Sequence, residues 1–228
     1  ALRLRLLMRI SNVEQAIAET QMQEIVNSGT FMQTEADDAA LQYLNAFPNQ
    51  YPLVPLKLGD FDAVNVGDRL VKTFKELNDP RLEVYARPVN APITPEDTSK
   101  YIGAVNASED ANSSRLGYQY YDYPDHRTVA EKADGIIMLN AETQFNTDQS
   151  VEELYKNGIQ SCMTHYGIEF PYTPTYADAD STVTFEDFED YYNQEGVDLN
   201  EATDRLARIA EQKWIALFFT GLEPWFDW

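Results

Sequence analysis

Apolar residues follow a helical pattern most regularly near the C-terminal end of the sequence. The main apolar row consists of Leu206, Ala210, Trp214, Leu217 and Phe218. Ile215 and Phe219 are apolar on the side opposite this row, so the last turns are apolar all round. This pattern predicts a buried helix with Trp214 in the core.

Polar and helix-breaking residues mark both ends of this predicted helix. Asp198 is predicted as the N-cap, because Glu201 three residues later completes a capping box. Gly221 supplies a C-terminal stop, and Pro224 cannot continue a helix. The pattern therefore predicts one helix that begins after Asp198 and ends near Gly221.

Residues 1–28 predict two further helices. Arg5 and Arg9 lie one turn apart, so the first stretch is interpreted as a helix that ends near residues 11–12. A second amphipathic helix follows and stops at residues 27–29, where Gly29 ends the pattern. Its predicted inward residues are Val13, Ile17, Met22 and Ile25.

The middle of the chain changes pattern several times. Prolines make residues 31–68 irregular, and helical spacing returns over residues 64–75. The apolar residues of that stretch are Val66, Leu70, Val71 and Phe74. Residues 78–80 read as a turn, and the alternation at 82–85 predicts a short strand. Residues 169–200 contain no Lys or Arg and offer one candidate buried face, made of Phe185, Phe188, Tyr191 and Tyr192.

Composition bounds the class of protein. With 228 residues, 43% of them hydrophobic, the chain can bury a sizeable core. A net charge of −21 argues against nucleic acid and against an anionic membrane surface as partners. Cys162 is the only cysteine, so it excludes an intrachain disulfide and is predicted to be a small core residue. The sequence has no run of apolar residues long enough to predict a membrane span.

Chemistry-bearing residues do not form a catalytic or metal-binding pattern. His126 and His165 lie far apart in sequence, and neither has a metal-ligand spacing around it. The sequence contains no phosphate-binding glycine loop and no nucleophile elbow. Paired carboxylates for glycoside cleavage remain possible in so acidic a chain, but a solvated acidic face accounts for the same residues. We therefore expect no enzyme activity, no metal and no cofactor.

A tyrosine cluster is the candidate binding site. It lies in a loop-rich region, and alternating rings would face both sides of an extended stretch. Exposed rings offer flat apolar faces to sugars, while their hydroxyl groups remain able to hydrogen-bond. The alternative is that the rings pack a loop onto the helices. The cluster consists of Tyr118, Tyr120, Tyr121 and Tyr123.

Several motifs together resemble the SusD/RagB family, the nutrient-binding outer-membrane lipoproteins of Bacteroidetes. The longest is QKWIALFFTGLEPWFDW at 212–228, which is similar to a helix near the C-terminus of that family. Other family-like segments are 2–12, 78–82 (NDPRL), 133–145 and 151–168. The helical turns that usually join the last two segments are lacking after Phe145. Either this family member has a real deletion there, or this chain leaves those residues out.

The resemblance implies a mainly α fold, a tetratricopeptide-like helical-repeat scaffold with a large irregular, loop-rich insertion and a few short strands. Residues 1–228 would form part of one SusD-like domain, with 1–30 helical, 31–130 the insertion, and 131–228 a helical scaffold with an acidic loop. The N-terminal part of the family, including the signal and the lipid-attachment cysteine, would lie outside this chain.

The resemblance also implies a function. The chain would bind glycans (oligosaccharides) or other nutrients at the cell surface without cleaving them, as part of an outer-membrane lipoprotein. It would deliver them to a SusC-like TonB-dependent transporter, and its only membrane attachment would be a lipid anchor outside this chain. Two alternatives stay open from the residues: a glycoside hydrolase using paired carboxylates, and a helical-repeat scaffold for protein interaction.

Overall fold

A computed structural model of the protein describes residues 2–29, 48, 64–89, 101–106, 113, 150–174 and 183–218. These residues are mainly helical, and their isolated β-bridges pair Gly67 with Ala104 and Tyr172 with Phe185. The helices are α1 (Leu2–Ile10), α2 (Gln15–Ser28), α3 (Asp68–Glu76), α4 (Arg81–Tyr85), α5 (Val151–His165), α6 (Phe188–Tyr192) and α7 (Arg205–Ala216).

The chain divides into two compact units. The first contains α1, α2, α5 and α7, and the second contains α3, α4, α6 and residues 101–106 and 166–174. Among the described helices, none is both long enough and apolar enough to cross a membrane. The predicted boundaries of the loop-rich insertion, at residues 30–31 and 130–131, lie outside the described residues and stay predictions.

Helices α1 and α2 form the predicted pair at the start of the chain. The first ends at Ile10, and the second ends at Ser28. Gly29 follows in the left-handed region with φ 64°, and its N–H donates to the carbonyl of Val26 at 3.1 Å. A glycine adopts this conformation without the steric penalty that a Cβ would bring. The shared core consists of Leu4, Leu7, Ala18, Met22, Ile25, Val26 and Leu217.

The inward face of α2 differs in part from the prediction. Met22 and Ile25 are buried as expected, but Val13 and Ile17 are exposed. Ala18 lies one turn before Met22 and shares its buried row, so the small alanine side chain takes the place predicted for Ile17. Apolarity alone favoured the larger side chain, whereas the close approach of α1 and α2 selects the smaller one.

Helix α5 carries the single cysteine into the core. Cys162 is fully buried beside Met163, which confirms its predicted packing role. Tyr155, on the same helix, is also buried, and its hydroxyl donates to the carbonyl of Val197 at 2.8 Å. This bond joins α5 to the segment that leads into α7.

Helix α7 begins later than predicted. Its N-cap is Asp204, whose carboxylate accepts from the N–H of Ala207 at 3.0 Å. Asp198, the predicted cap, instead accepts from the N–H of Asn200 at 2.8 Å and closes a local turn. Both aspartates can cap a helix, and the fully buried Leu199 holds the earlier residues in the turn. The helix ends at Ala216, and the predicted stop at Gly221 lies outside the described residues.

The prediction that Trp214 lies in the core is wrong. Trp214 is 37% exposed and Leu206 is 51% exposed, although both belong to the predicted buried row. The buried face of α7 instead contains Ile209, Gln212 and Lys213, with Ile215, Ala216 and Leu217 at its end. A lysine can bury its long aliphatic stem, so a face with Lys213 in it packs against a core even though its composition looks polar.

In the second unit, α3 confirms the predicted helix, with Val66 buried just before it. The strand predicted at 82–85 is wrong, because residues 81–85 form α4. Leu82 and Tyr85 are both fully buried and lie three residues apart, which is helical spacing. Pro80 starts the turn with φ −62°, a value that the proline ring fixes in advance.

Helix α6 gives the acidic stretch its buried face. All four aromatic residues predicted for it are buried: Phe185, Phe188, Tyr191 and Tyr192. The acidic residues form the start of the helix, where Asp187 accepts from the N–H of Asp190 at 3.1 Å. The Asp190 carboxylate in turn accepts from the N–H of Glu186 at 2.9 Å. Carboxylates at this end of a helix satisfy unpaired N–H groups and favour the helix dipole.

Candidate functional site

The candidate tyrosine cluster lies outside the residues that the structure describes. This applies to Tyr118, Tyr120, Tyr121 and Tyr123, and the same is true of His126 and the predicted helix at 133–145. His165 ends α5. Residues 101–106 are the described segment that precedes the tyrosine cluster in the sequence, and the structure shows how this segment is held.

Residues 101–106 are held against the start of α3. The N–H of Ala104 donates to the carbonyl of Val66 at 2.8 Å, and the N–H of Asp68 donates to the carbonyl of Ala104 at 2.9 Å. Gly103 lies directly against the backbone of Asp68, so close that an added Cβ would sit 2.7 Å from the Asp68 nitrogen. These contacts fix the position of the chain shortly before the tyrosine-rich segment.

The same unit contains a buried polar network. The carboxylate of Asp79 accepts from the Nε of Arg81 at 2.9 Å, from its terminal nitrogen at 2.6 Å and from its backbone N–H at 2.9 Å. The hydroxyl of Tyr191 donates to the same carboxylate at 2.6 Å and accepts from Arg81 at 3.2 Å. The side chains of Asp79 and Arg81 are 0% and 1% exposed. The network therefore joins the α3–α4 turn to α6.

Aromatic rings surround this network. Phe74 and Tyr85 meet edge to face with centroids 5.4 Å apart, and Phe185 and Tyr191 do so at 5.6 Å. The guanidinium of Arg81 lies 5.9 Å from the centre of the Phe74 ring, within reach of a cation–π interaction. These buried rings stabilise the second unit by packing, so they are not available as platforms for a ligand.

Burial controls the acidity of two tyrosines in this unit. Burial and the nearby negative charge of Glu83 raise the pKa of Tyr101 to about 12. Burial, together with the negative charge of Asp79, raises the pKa of Tyr191 well above its usual value of 10.0. Both hydroxyls therefore keep their protons to a higher pH than an ordinary tyrosine does, and that of Tyr191 remains a hydrogen-bond donor to Asp79.

We expect stability to fall as the pH rises above about 10. The unfolded state loses the Tyr101 proton near pH 10.0, whereas the folded state holds it to about pH 12. The stability that this tyrosine contributes is fully present below pH 10 and is lost as the pH rises towards 12. Denaturant unfolding across this pH range measures the slope.

The variant Tyr101→Phe is the control for this pH effect. It removes one proton whose binding differs between the folded and unfolded states, so its stability should decline less steeply with pH than that of the parent chain. Equal slopes for the two proteins would show that Tyr101 titrates normally in the folded state.

Within the described ranges, no group of three or more His, Cys, Asp and Glu side chains could hold a metal ion. The buried Asp79–Arg81–Tyr191 network is the most concentrated set of polar side chains described, yet it is closed to solvent. The sequence pattern placed Asp79 in a predicted turn and Arg81 in a family-like segment, and it did not predict their pairing. The third member, Tyr191, was assigned to a buried face, and its distance along the chain hid the contact.

The helices, the sparse β-bridges and the buried network define a mainly helical scaffold of the tetratricopeptide-like kind, as the resemblance implied. A family model described as SusD-like, starch-binding and associating with the outer membrane matches residues 1–228. The chain belongs to this SusD-like family, which confirms the resemblance. The family description names binding and no reaction.

Solved structures of SusD homologues have the same fold. A homologue from Bacteroides fragilis matches with a TM-score of 0.75 and 18% identity, over 100% of this chain and 52% of its own. A homologue from Bacteroides vulgatus matches with a TM-score of 0.72 and 19% identity, over 99% of this chain and 48% of its own. A chitin-binding SusD homologue from Flavobacterium johnsoniae matches with a TM-score of 0.70 and 20% identity, over 99% and 48%.

This chain therefore spans about half the length of the solved proteins that it matches. A search of curated proteins found no match. At these identities the solved structures establish the fold, and the family model establishes membership.

Proposed function

We propose that this chain binds glycans without cleaving them, as part of a protein at the surface of the outer membrane. The observation that carries the proposal is the match of the whole chain, residues 1–228, to a family described as starch-binding and associating with the outer membrane. The chitin-binding homologue shows that another member of the fold takes a glycan built from different sugar units.

The proposed ligand site is the tyrosine cluster Tyr118, Tyr120, Tyr121 and Tyr123. In the second unit, the described rings of Phe74, Tyr85 and Tyr191 are buried and occupied by packing. Sugar binding needs exposed ring faces, and this short run concentrates four rings outside any helical period. Irregular segments held by a rigid scaffold are common positions for binding residues.

The proposed binding is modest for each sugar unit. Each ring would contribute stacking on the C–H face of one sugar, and each hydroxyl would contribute one hydrogen bond. Part of this gain is offset by the ordering of side chains and the loss of ligand freedom. Longer oligosaccharides should therefore bind more tightly than short ones, because they engage several rings at once.

Delivery to a SusC-like TonB-dependent transporter is the second part of the proposal. The description of the family as associating with the outer membrane supports it. A protein that binds without cleaving would need a carrier to move the intact oligosaccharide across that membrane.

We expect Tyr120→Ala and Tyr121→Ala each to weaken glycan binding by about 1 kcal/mol or more, roughly five-fold in affinity. Calorimetry with starch-derived and chitin-derived oligosaccharides measures the change. Tyr120→Phe is the matched control, because it keeps the ring and removes only the hydroxyl. If stacking dominates, the Phe variant binds nearly as well as the parent, and the melting temperatures of the three variants stay close to that of the parent.

Three other outcomes would contradict the proposal. Lost stability with intact binding would return the tyrosines to packing and move the site elsewhere. Sustained release of reducing ends from the same oligosaccharides would show a glycoside hydrolase. A glycan array without binding, from a protein that still purifies with the transporter, would show an interaction scaffold.

A further inference from the structure

Two rings of α6 are able to fill the same place in the core of the second unit. Phe188 and Tyr191 are both buried and lie three residues apart, so they share one side of the helix. Their ring centres are 6.4 Å apart. If α6 slipped by three residues along its axis, Phe188 would take the place of Tyr191. The hydrophobic effect is non-directional and depends on apolar area, so it does not distinguish these two positions of the helix.

The backbone bridge of this segment does not distinguish the two positions either. Phe185 and Tyr172 exchange N–H to carbonyl bonds of 2.8 Å and 2.9 Å. Every residue except proline carries these groups, so another residue in the place of Phe185 forms the same bridge. The hydroxyls of Thr173 and Thr184 lie 2.8 Å apart beside it, but they are exposed, where water replaces such a bond at little cost.

The approach of Gly196 to Leu77 is also a weak constraint on the register. A Cβ added at residue 196 would lie 2.5 Å from Cδ2 of Leu77, which is the end of a side chain. Unlike backbone, this end moves aside when the side chain changes its rotamer. The contact therefore does not by itself fix the position of α6.

The buried network does distinguish the two positions. The Tyr191 hydroxyl donates to Asp79 at 2.6 Å and accepts from Arg81 at 3.2 Å. Phe188 has no hydroxyl, so in the place of Tyr191 it would leave the carboxylate and the guanidinium each with one partner fewer. The side chains of Asp79 and Arg81 are 0% and 1% exposed, so water does not reach them to replace the hydroxyl. A buried polar group that loses its partner costs more than an ordinary hydrogen bond gains.

Tyr192, the other hydroxyl-bearing ring of α6, does not supply the missing partner. It follows Tyr191 directly, so its side chain projects about 100° further around the helix. To bring it to Asp79, α6 would have to turn by that angle and carry Phe188 out of the core. Phe188 meets Phe170 edge to face with ring centres 6.4 Å apart, a contact that this turn would break. Of the three rings on α6, only Tyr191 therefore satisfies both the network and the apolar packing.

The aromatic core around the network needs such a constraint. The ring of Tyr191 meets that of Phe185 at 5.6 Å, and Phe74 meets Tyr85 at 5.4 Å. Cores built from side chains of similar volume lose a single ordered arrangement before they lose stability. A fully satisfied polar network specifies one arrangement, because its bonds depend on particular atoms at particular places.

We propose that the Asp79–Arg81–Tyr191 network determines the register of α6 against the α3–α4 turn, and that it contributes little net stability compared with an apolar core of the same volume. Replacing a whole buried ion pair by apolar side chains is often neutral or stabilising, whereas removing one partner is strongly destabilising. The network thus makes the wrong position of α6 unfavourable. This role is separate from glycan binding, and its test needs no ligand.

The test replaces the whole network by apolar side chains of similar size, in the variant Asp79→Leu/Arg81→Met/Tyr191→Phe. We expect its melting temperature to lie within about 5 °C of that of the parent chain, or above it. We also expect a second set of amide signals from residues 183–196 in NMR spectra of the isotope-labelled protein, with about a tenth of the total intensity or more. The second set reports α6 in a slipped position.

Thr73→Val is the matched control, since it removes a buried hydroxyl of α3 that does not belong to the network. It should show one set of signals, as the parent does. A triple variant that is unfolded, or that melts well below the parent, overturns the proposal, because the network would then be needed for net stability. One sharp set of signals from the triple variant also overturns it, since other contacts would then fix the register of α6. So does a second set of equal intensity in Thr73→Val.

Discussion

Replacing Asp79 with Ala is expected to lower the free energy of unfolding by about 3–5 kcal/mol. The variant leaves the Arg81 guanidinium, 1% exposed, without the carboxylate that accepts from it at 2.6 Å and 2.9 Å. A buried charge that loses its counter-charge keeps the full desolvation penalty without the attraction that offsets it. Urea unfolding followed by circular dichroism measures the loss.

An exposed ion pair of the second unit supplies the matched control. Lys72 and Asp68 are 2.6 Å apart on α3, and the Lys72 side chain is 65% exposed. We expect Lys72→Ala to cost less than about 1 kcal/mol, because water and salt screen exposed pairs. A similar loss for Lys72→Ala and Asp79→Ala would show that the buried network has no special energetic role.

The Tyr191 hydroxyl tests whether the three side chains act as one network. Tyr191→Phe removes the donor that lies 2.6 Å from the Asp79 carboxylate but keeps the ring. Removing a hydrogen bond to a charged group costs about 1.5–3 kcal/mol. In the double variant Asp79→Ala/Tyr191→Phe, the loss of unfolding free energy should be smaller than the sum of the two single losses, since both substitutions act on the same carboxylate.

Gly103→Ala is expected to destabilise the protein by about 1–3 kcal/mol or more. The added Cβ would sit 2.7 Å from the Asp68 nitrogen, a contact with backbone that cannot rotate away. To admit it, residues 101–106 would have to move away from the start of α3 and lengthen the bonds of Ala104 to Val66 and Asp68. Thermal and denaturant unfolding measure the effect.

Gly67→Ala is the control for this substitution. Gly67 pairs with Ala104 in the same bridge, but a Cβ added there meets no atom within 4 Å. Its φ of −66° and ψ of 144° suit any residue. We expect a change within about 1 kcal/mol, the size of a cap or chain-entropy effect. Equal losses at both glycines would show that the close approach of Gly103 to Asp68 is not the cause.

The Gly103 contact and the Asp79 network matter for the proposed function because they hold parts of the second unit in place. The Gly103 contact fixes the chain shortly before the tyrosine cluster, and the Asp79 network fixes α3, α4 and α6 relative to one another. Substitutions at either place should therefore alter stability first. A glycan-binding defect in Gly103→Ala at a temperature where the protein remains folded would connect the scaffold to the proposed site.

Local pattern was sufficient to predict α1, α2 and α3. Each has apolar residues at helical spacing and a marked end, as Gly29 shows for α2. The buried face of residues 185–192 was also predicted, because its aromatic residues are so much more apolar than the carboxylates around them. Family membership was predicted too, because it rests on the order of whole motifs.

The tertiary structure decided the rest. Local alternation predicted a strand at 82–85, but the turn at Asp79 and Pro80 and the burial of Leu82 and Tyr85 produce α4. A four-residue pattern has too few positions to separate a period of two from a helical turn. Asp198 and Asp204 are equally able to cap a helix, and the burial of Val197 and Leu199 on either side of Asp198 selected the second.

Tertiary packing also decided which face of α7 is buried and which residues form the buried network. The sequence shows how apolar each row of α7 is, but the core of the first unit selected the row with Ile209 and Lys213 and left Trp214 exposed. The contact between Asp79 and Tyr191 joins residues 112 positions apart. No local pattern encodes such a contact, because burial and pairing depend on which surfaces meet when the helices pack.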